Sequence, residues 1–168
     1  MAFRFGHAIA ATAFIAATAF SVAALASGSD SSGDDSKKKK DDTQYSQGVD
    51  KVKKKDFQGA IDLLNQVVFR DPKNANAWNY IGFSDRMLGR YDESLAAYEK
   101  ALAIEPDHIG ANEYLGELYV QTGKTEKARQ QLALLDKLCG ENCDEYKELK
   151  GAIGGNQIGL LDASTARW

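Results

Sequence analysis

Two cysteines lie four residues apart near the end of the chain, and this spacing limits the chemistry open to them. Cys139 and Cys143 stand in the segment CGENC, one residue longer than the CxxC spacing of redox motifs. In an oxidising compartment two such thiols can close a local disulfide. We therefore predict a structural bridge between them, with two free thiols as the alternative.

Residues suited to catalysis or metal binding are otherwise few. Beyond residue 26 the sequence has a single histidine, His108, and zinc sites need three or four ligands. Glu113 and Glu117 lie one helical turn apart, but a solvated helix face accounts for them without catalysis. The sequence contains no GxGxxG, phosphate-binding loop or HExxH motif. We predict no catalytic residues, no bound metal and no cofactor.

The overall charge argues against one class of partner. The 168 residues include 21 Lys plus Arg and 24 Asp plus Glu, for a formal net charge of -3 and a pI near 5.4. Binding to nucleic acid phosphates needs a surplus of cations on one face. We therefore exclude nucleic acid as the main partner.

The first 26 residues are typical of a secretory signal. Arg4 is followed by an apolar run with no acidic residue, and Ala24-Leu25-Ala26 offers the small residues that a signal peptidase requires. We predict cleavage after Ala26 and export to the periplasm of a Gram-negative bacterium, with no stable membrane insertion afterwards. An uncleaved membrane anchor is the alternative, which the Ala- and Thr-rich composition of this run disfavours.

Residues 27–42 contain no apolar side chain, which predicts a flexible tether. Four consecutive lysines in this segment are able to attract an anionic membrane or envelope polymer. Acidic residues on both sides cancel that charge within about one Debye length of 8–10 Å. The lysines are Lys37 to Lys40, and the acids are Asp34, Asp35, Asp41 and Asp42.

A 34-residue repeat organises the rest of the chain. Within each unit the apolar spacing is helical, as in Leu95, Tyr98 and Leu102, and predicts two helices per repeat. The turn between them falls at Gly89 in the middle unit, where glycine can take a left-handed conformation. The matching positions include Gly48, Gly82 and Gly116; Leu64, Tyr98 and Leu132; and Pro72 and Pro106. We expect the recurring glycines to allow a close helix crossing, with Leu64, Tyr98 and Leu132 beside them.

These residues resemble the tetratricopeptide repeat, which has the same period. The middle unit carries the resemblance best, with Trp78, Gly82, Tyr98, Ala101 and Pro106. The resemblance implies an all-α fold: a right-handed superhelical array of three helix-turn-helix repeats plus a C-terminal capping helix. The expected repeats cover 41–74, 75–108 and 109–142, and the capping helix covers 144–153. Together they form a domain at 43–153, followed by a tail at 154–168 that is either flexible or folded into the groove.

In this family the first helix of each repeat lines a concave groove that holds a peptide or a partner's helix. The chaperone-binding branch clamps a terminal carboxylate with lysines and asparagines, and that pattern is absent because Tyr45, Val49 and Gly110 occupy clamp positions. The resemblance implies a non-enzymatic adaptor for a protein or peptide, with its oligomeric state left open. The alternative is an accessory protein that binds an envelope polymer or anionic membrane through its lysines. The implied groove residues are Tyr45, Val49, Asn79, Phe83, Arg86, Met87, Glu113, Glu117, Val120 and Gln121.

Overall fold

Seven α-helices joined by short turns make up the part of the chain that the structure describes. The computed structural model describes the backbone of residues 32–165 and the side chains of residues 43–155. The predicted signal at 1–26, residues 27–31 of the predicted tether and residues 166–168 of the predicted tail lie outside it. No strand occurs within residues 32–165, which agrees with the all-α prediction. The helices are α1 (Ser32–Lys53), α2 (Phe57–Arg70), α3 (Ala75–Met87), α4 (Tyr91–Ile104), α5 (Ile109–Gln121), α6 (Thr125–Cys139) and α7 (Asp144–Thr165).

A residue in the left-handed region makes the turn within each of three helix pairs. Gly89 and Gly123 have φ angles of 76° and 72° between α3 and α4 and between α5 and α6. Lys55 takes the same conformation between α1 and α2 at a φ of 59°. For a residue with a Cβ this region costs roughly 1–2 kcal/mol, so packing of the flanking helices must hold Lys55 there.

Polar side chains cap the starts of α2 and α3. Asp56 precedes α2 and its Oδ1 accepts from the Gly59 N–H at 3.1 Å, while Asn74 precedes α3 and accepts from the Ala77 N–H at 2.9 Å. These bonds satisfy amides that have no partner within their own helix. These two caps fix the residues at which α2 and α3 begin.

The helices form an inner and an outer layer. Along the inner layer α1 contacts α3, α3 contacts α5 and α5 contacts α7, whereas α2, α4 and α6 contact only the inner helices beside them. Helices that touch their counterparts in the next pair lie on the more tightly curved side of such an array. We call the surface of α1, α3, α5 and α7 the inner face.

Glycines at the 34-residue interval let large side chains reach the backbone of the neighbouring helix. A Cβ on Gly48 would lie 2.7 Å from Leu64 Cγ, and one on Gly82 would lie 2.7 Å from Tyr98 Cδ1. Leu64 and Tyr98 are fully buried and come from the second helix of the same pair. The expected close crossing is therefore present in the first two pairs.

In the third pair the close contact has a different partner. The side chain against Gly116 is Leu149 of α7, not Leu132 of α6 as the repeat spacing predicts. Leu149 reaches this position because α7 packs against both α5 and α6. Together with Tyr146 and Ile153, it forms the buried stripe that closes this end of the array.

Both ends of the described chain are more helical than the sequence predicts. Helix α1 already begins at Ser32, inside the predicted flexible tether, and α7 runs past 153 to Thr165, through most of the predicted tail. Extending a helix costs far less than starting one, so the packed parts of α1 and α7 can propagate into polar or glycine-containing sequence. Among the helices of residues 32–165, none combines the length and apolarity needed to cross a bilayer.

We expect Gly82→Ala to destabilise the fold. The added Cβ would lie 2.7 Å from two atoms of the buried Tyr98 ring, and overpacking of this kind costs about 1–3 kcal/mol. Gly151→Ala is the matched control, because a Cβ there meets nothing within 4 Å and alanine favours the helix by up to about 1 kcal/mol. Urea unfolding followed by circular dichroism measures both. A Gly82→Ala protein as stable as the parent would contradict the packing described.

Candidate inner-face binding site

Helices α1, α3 and α5 contribute all of the predicted groove residues, but they expose them unequally. Those with accessible surface are Tyr45, Val49, Phe83, Met87, Glu117, Val120 and Gln121, of which Met87 and Gln121 are the most exposed. Asn79, Arg86 and Glu113 are buried, with 4%, 7% and 3% of their surfaces accessible. The buried three are polar residues in the seams between inner helices, where they shape the face from below.

Arg86 is the centre of a contact between α3 and α5. Its guanidinium lies 5.4 Å from the centroid of the Phe83 ring and 5.8 Å from that of Tyr114. Its Nη2 is 2.5 Å from Glu117 Oε2. The pair is largely shielded from water, with side-chain exposures of 6% for Arg86 and 22% for Glu117. Removing either partner would leave a poorly compensated charge, so the pair also fixes how α3 meets α5.

Glu113 is a buried acid next to other acids. Burial is the main reason that its pKa is raised to about 9. A hydrogen bond with Glu148 and the negative charges of its neighbours raise the pKa in the same direction. At neutral pH Glu113 therefore carries a proton. The neighbouring acids are Glu117 on α5 and Glu145 and Glu148 on α7.

Aromatic rings run along the inner face beside these charges. The rings of Tyr45 and Tyr80 are 6.2 Å apart, and those of Phe83 and Tyr114 are 5.0 Å apart. Burial is the largest cause that raises the pKa of Tyr45 and of Tyr114 to about 12. Half-buried aromatic rings of this kind offer contact area at a small cost in side-chain entropy.

Sequence reasoning missed four residues of this face. Tyr80 and Tyr114 are separated by 34 residues, and the same step leads to Glu148. The repeat interval therefore contained the signal for these three. Glu145 and Glu148 were missed because α7 was interpreted only as a cap, whereas it also continues the inner layer. The missed residues are Tyr80, Tyr114, Glu145 and Glu148.

His108 has a structural role at the start of α5. Its Nδ1 accepts from the Ala111 N–H at 3.1 Å, and its Nε2 lies 3.1 Å from Asn76 Oδ1 on α3. Both ring nitrogens are thus occupied by a helix cap and an inter-helix contact. This arrangement explains the residue without a catalytic role.

A disulfide joins Cys139 and Cys143 across the turn between α6 and α7, with the two Cα atoms 5.8 Å apart. Glu145 lies nearby, with a carboxylate oxygen within 4.8 Å of both sulfurs. Metals bind cysteine as the thiolate, which a disulfide does not offer. The bridge ties the start of α7 to the end of the last helix pair.

A family model and several relatives match this chain. The model for the tetratricopeptide repeat covers residues 86–153. Tetratricopeptide repeat protein 37 of Xenopus laevis is 34% identical over 77 residues, which are 46% of this chain but only 5% of that protein. An uncharacterised protein of Methanocaldococcus jannaschii is 30% identical over 76 residues, which are 45% of this chain and 87% of that protein.

Solved structures share the same architecture. The TPR2B domain of yeast Sti1 in complex with pHsp70 has a TM-score of 0.65 at 16% identity, over 71% of this chain and 98% of that one. The Yersinia enterocolitica type III secretion chaperone SycD, in complex with a peptide of the translocator YopD, has a TM-score of 0.60 at 17% identity. That match covers 73% of this chain and 93% of that one. The likeness shows the superhelical all-α fold that the repeat predicts.

The raised pKa of Glu113 predicts that the fold becomes less stable as pH rises. Between about pH 4.5, the ordinary pKa of this group, and about pH 9, the folded protein holds a proton that the unfolded chain has lost. The free energy of unfolding therefore falls with rising pH, by at most about 1.4 kcal/mol per pH unit. Urea unfolding at pH 6 and pH 8.5 measures the slope. We expect Glu113→Gln to flatten it and Glu126→Gln, an exposed glutamate on α6, to leave it unchanged.

Proposed function

Because this chain belongs to the tetratricopeptide repeat family, we propose that it is an adaptor that binds a peptide or partner protein on its inner face. The solved relatives from yeast and Yersinia are complexes, one with pHsp70 and one with a peptide of YopD. The observation that carries the proposal is the composition of this chain's own inner face. It combines half-buried aromatic rings with accessible polar side chains, among them Glu117 and Gln121.

The aromatic part of the face supplies contact area. Tyr45, Tyr80, Phe83 and Tyr114 are each partly accessible, and Met87 is 48% exposed. Rings that are already held by their neighbours lose little freedom when a ligand covers them. Such residues are typical anchors of protein interfaces.

Two buried polar side chains lie beneath the face. Asn79 is 4% exposed, and its Oδ1 accepts no hydrogen bond within the described side chains. The Arg86 Nε is buried and likewise has no partner there. Because both atoms are buried, these side chains support the shape of the face from below, and contact with a ligand falls to the accessible residues above them.

We infer further that the adaptor is exported and catalyses no reaction of its own. Residues 1–26 have the composition of a secretory signal, and the Cys139–Cys143 disulfide is compatible with an oxidising compartment. His108, the residue best suited to acid–base catalysis beyond residue 26, is engaged through both ring nitrogens. The periplasm is the compartment that fits these features.

The binding proposal predicts that peptides selected on this protein depend on its inner face. A phage library of random 12-residue peptides would be panned on the immobilised protein, and the enriched peptides would be synthesised for titration by fluorescence anisotropy. We expect Val49→Arg combined with Gln121→Arg to weaken binding by about tenfold or more, because long charged side chains obstruct the face.

The matched control adds the same two arginines to the outer layer, at Asn65 and Phe69 of α2, both exposed. Its affinity should stay within about twofold of the parent's. Circular dichroism establishes that both variants fold. Equal affinity for the parent and the inner-face variant, or loss of binding in the outer variant alone, would overturn the proposed site.

The export proposal predicts one mass for the protein recovered from the periplasm of an expressing Gram-negative host. Intact-mass spectrometry should give a chain that begins at Ser27. No thiol should react with an alkylating reagent until a reductant is added, because Cys139 and Cys143 are bonded to each other. Retention of residues 1–26 would contradict cleavage, and two thiols alkylated without reductant would contradict the bridge. A Cys139→Ser, Cys143→Ser variant provides the unreactive reference mass.

A further inference from the structure

Three of the five exposed large apolar side chains within residues 43–155 cluster at one turn. They are Met87, Leu88 and Tyr91, with 48%, 40% and 41% of their surfaces accessible. They flank Gly89, the left-handed residue between α3 and α4, where a Cβ would meet nothing within 4 Å. Single exposed apolar residues are common on protein surfaces, whereas a contiguous group indicates an interaction site.

The turn between α3 and α4 lies beside the turn between α1 and α2. The Arg90 Nη2 donates to Gln58 Oε1 at 2.8 Å, and the rings of Phe57 and Phe83 are 6.1 Å apart. Because successive helices alternate in direction, the turn between α5 and α6 lies on the same side of the array. We call this side, formed by residues 53–57, 87–91 and 122–125, the turn edge.

The turn edge carries more positive than negative charge. It has five cations, all of them exposed, and each of the three turns contributes at least one. Its one acid, Asp56, is paired with Lys51 at 2.6 Å. Two of the cations have an acid at 3.6 Å, and the other three make no ion pair with any described residue. The paired cations are Lys53 and Arg90, and the unpaired ones are Lys54, Lys55 and Lys124.

The opposite edge, formed by the loops between the helix pairs, has the reverse charge. Residues 71–74, 105–108 and 140–143 contain four exposed acids and a single lysine, Lys73. Although the chain has a formal net charge of -3, its two edges therefore differ in sign. An anionic surface attracts the turn edge and repels the opposite edge, which orients the molecule. The four acids are Asp71, Glu105, Asp107 and Glu141.

We propose that the turn edge docks onto an anionic lipid bilayer. The unpaired lysines contact lipid phosphates, while Leu88 and Tyr91 enter the headgroup region, where an amphipathic tyrosine ring is favoured. Such docking is reversible and needs no helix that crosses the bilayer. It extends the adaptor function without depending on it, because the turn edge and the inner face share only Met87 at their rim.

Both kinds of side chain are needed for this docking. Acids begin one residue beyond the turn edge, in the first turns of α4 and α6, and they reduce the attraction that the lysines provide. The apolar side chains at the middle turn therefore have to add burial to the charge attraction. These acids are Asp92, Glu93 and Glu126.

The charges of the chain favour a bilayer over a second copy at this edge. A two-fold contact would place the basic turns of one copy against those of the other. Docking through the turn edge also differs from docking through the lysines of the predicted tether. Lys40, the last of these, precedes Lys53 by 13 residues of α1, or about 20 Å along the helix axis.

The test measures how the protein recovered from the periplasm sediments with lipid vesicles. Vesicles of phosphatidylcholine with about 30% phosphatidylglycerol are compared with pure phosphatidylcholine at about 100 mM sodium chloride. We expect the parent to bind the anionic vesicles at least about tenfold more tightly. Lys54→Gln combined with Lys124→Gln should weaken that binding by about tenfold or more, and Leu88→Gln by about threefold or more.

Matched controls change the same residue types elsewhere. Lys73→Gln combined with Lys137→Gln removes the same charge from exposed positions at the opposite edge and in the last turn of α6. Phe69→Gln removes an apolar side chain that is 85% exposed on α2. Both controls should bind anionic vesicles within about twofold of the parent. Circular dichroism establishes that all variants fold.

Several results would overturn membrane docking through the turn edge. Equal binding to both kinds of vesicle, or binding to neither, contradicts attraction by anionic lipid. Equal losses in the edge variants and their controls contradict the edge as the site. Binding that survives the edge substitutions but disappears when Lys37 to Lys40 are replaced by glutamine assigns it to the tether. A dimer in gel filtration that Leu88→Gln dissociates assigns the apolar turn to a second copy.

Discussion

Close contact between a glycine and a large side chain sets the spacing of this array. Gly48 against Leu64 and Gly82 against Tyr98 hold the two helices of a pair so near that a single Cβ would not fit. Because the contact occurs at matching positions of the first two repeats, α1 and α3 lie on the same side of their pairs. These crossings orient α1 and α3 alike, and α5 continues the inner face through its contact with α3.

The contact between Leu149 and Gly116 determines where α7 packs. Leu149 fills the space beside Gly116, so α7 both covers the end of the array and continues its inner layer. That packing brings Glu148 into hydrogen-bond contact with Glu113, and the charge of Glu145 also raises the pKa of Glu113. A helix that buries the final apolar stripe thereby concentrates negative charge at one end of the face, and the Cys139–Cys143 bridge restrains the start of the same helix.

Arg86 and Glu113 illustrate the limits of assigning a face by repeat position. Both occupy positions that line the groove in the family, yet both are buried in this chain. Arg86 is covered because Phe83 and Tyr114 flank its guanidinium, and Glu113 is covered by the approach of α7. A repeat register predicts the direction in which a side chain leaves its helix, but exposure depends on the size of the neighbours, which differ between repeats.

The sequence by itself determined that the helices come in pairs and where the turns within the pairs fall, because these follow from local spacing and from a period repeated without gaps. It also pointed to Asn79, Glu113 and Glu117 as residues of one surface. Only the tertiary structure decided that Leu149 replaces Leu132 beside Gly116, and that α7 adds two acids to that surface. The repeat occurs three times along the sequence, so it does not predict which helix packs against the third pair. Contacts between residues distant in sequence depend on how side-chain volumes fit together. The periodicity of the sequence does not predict that fit.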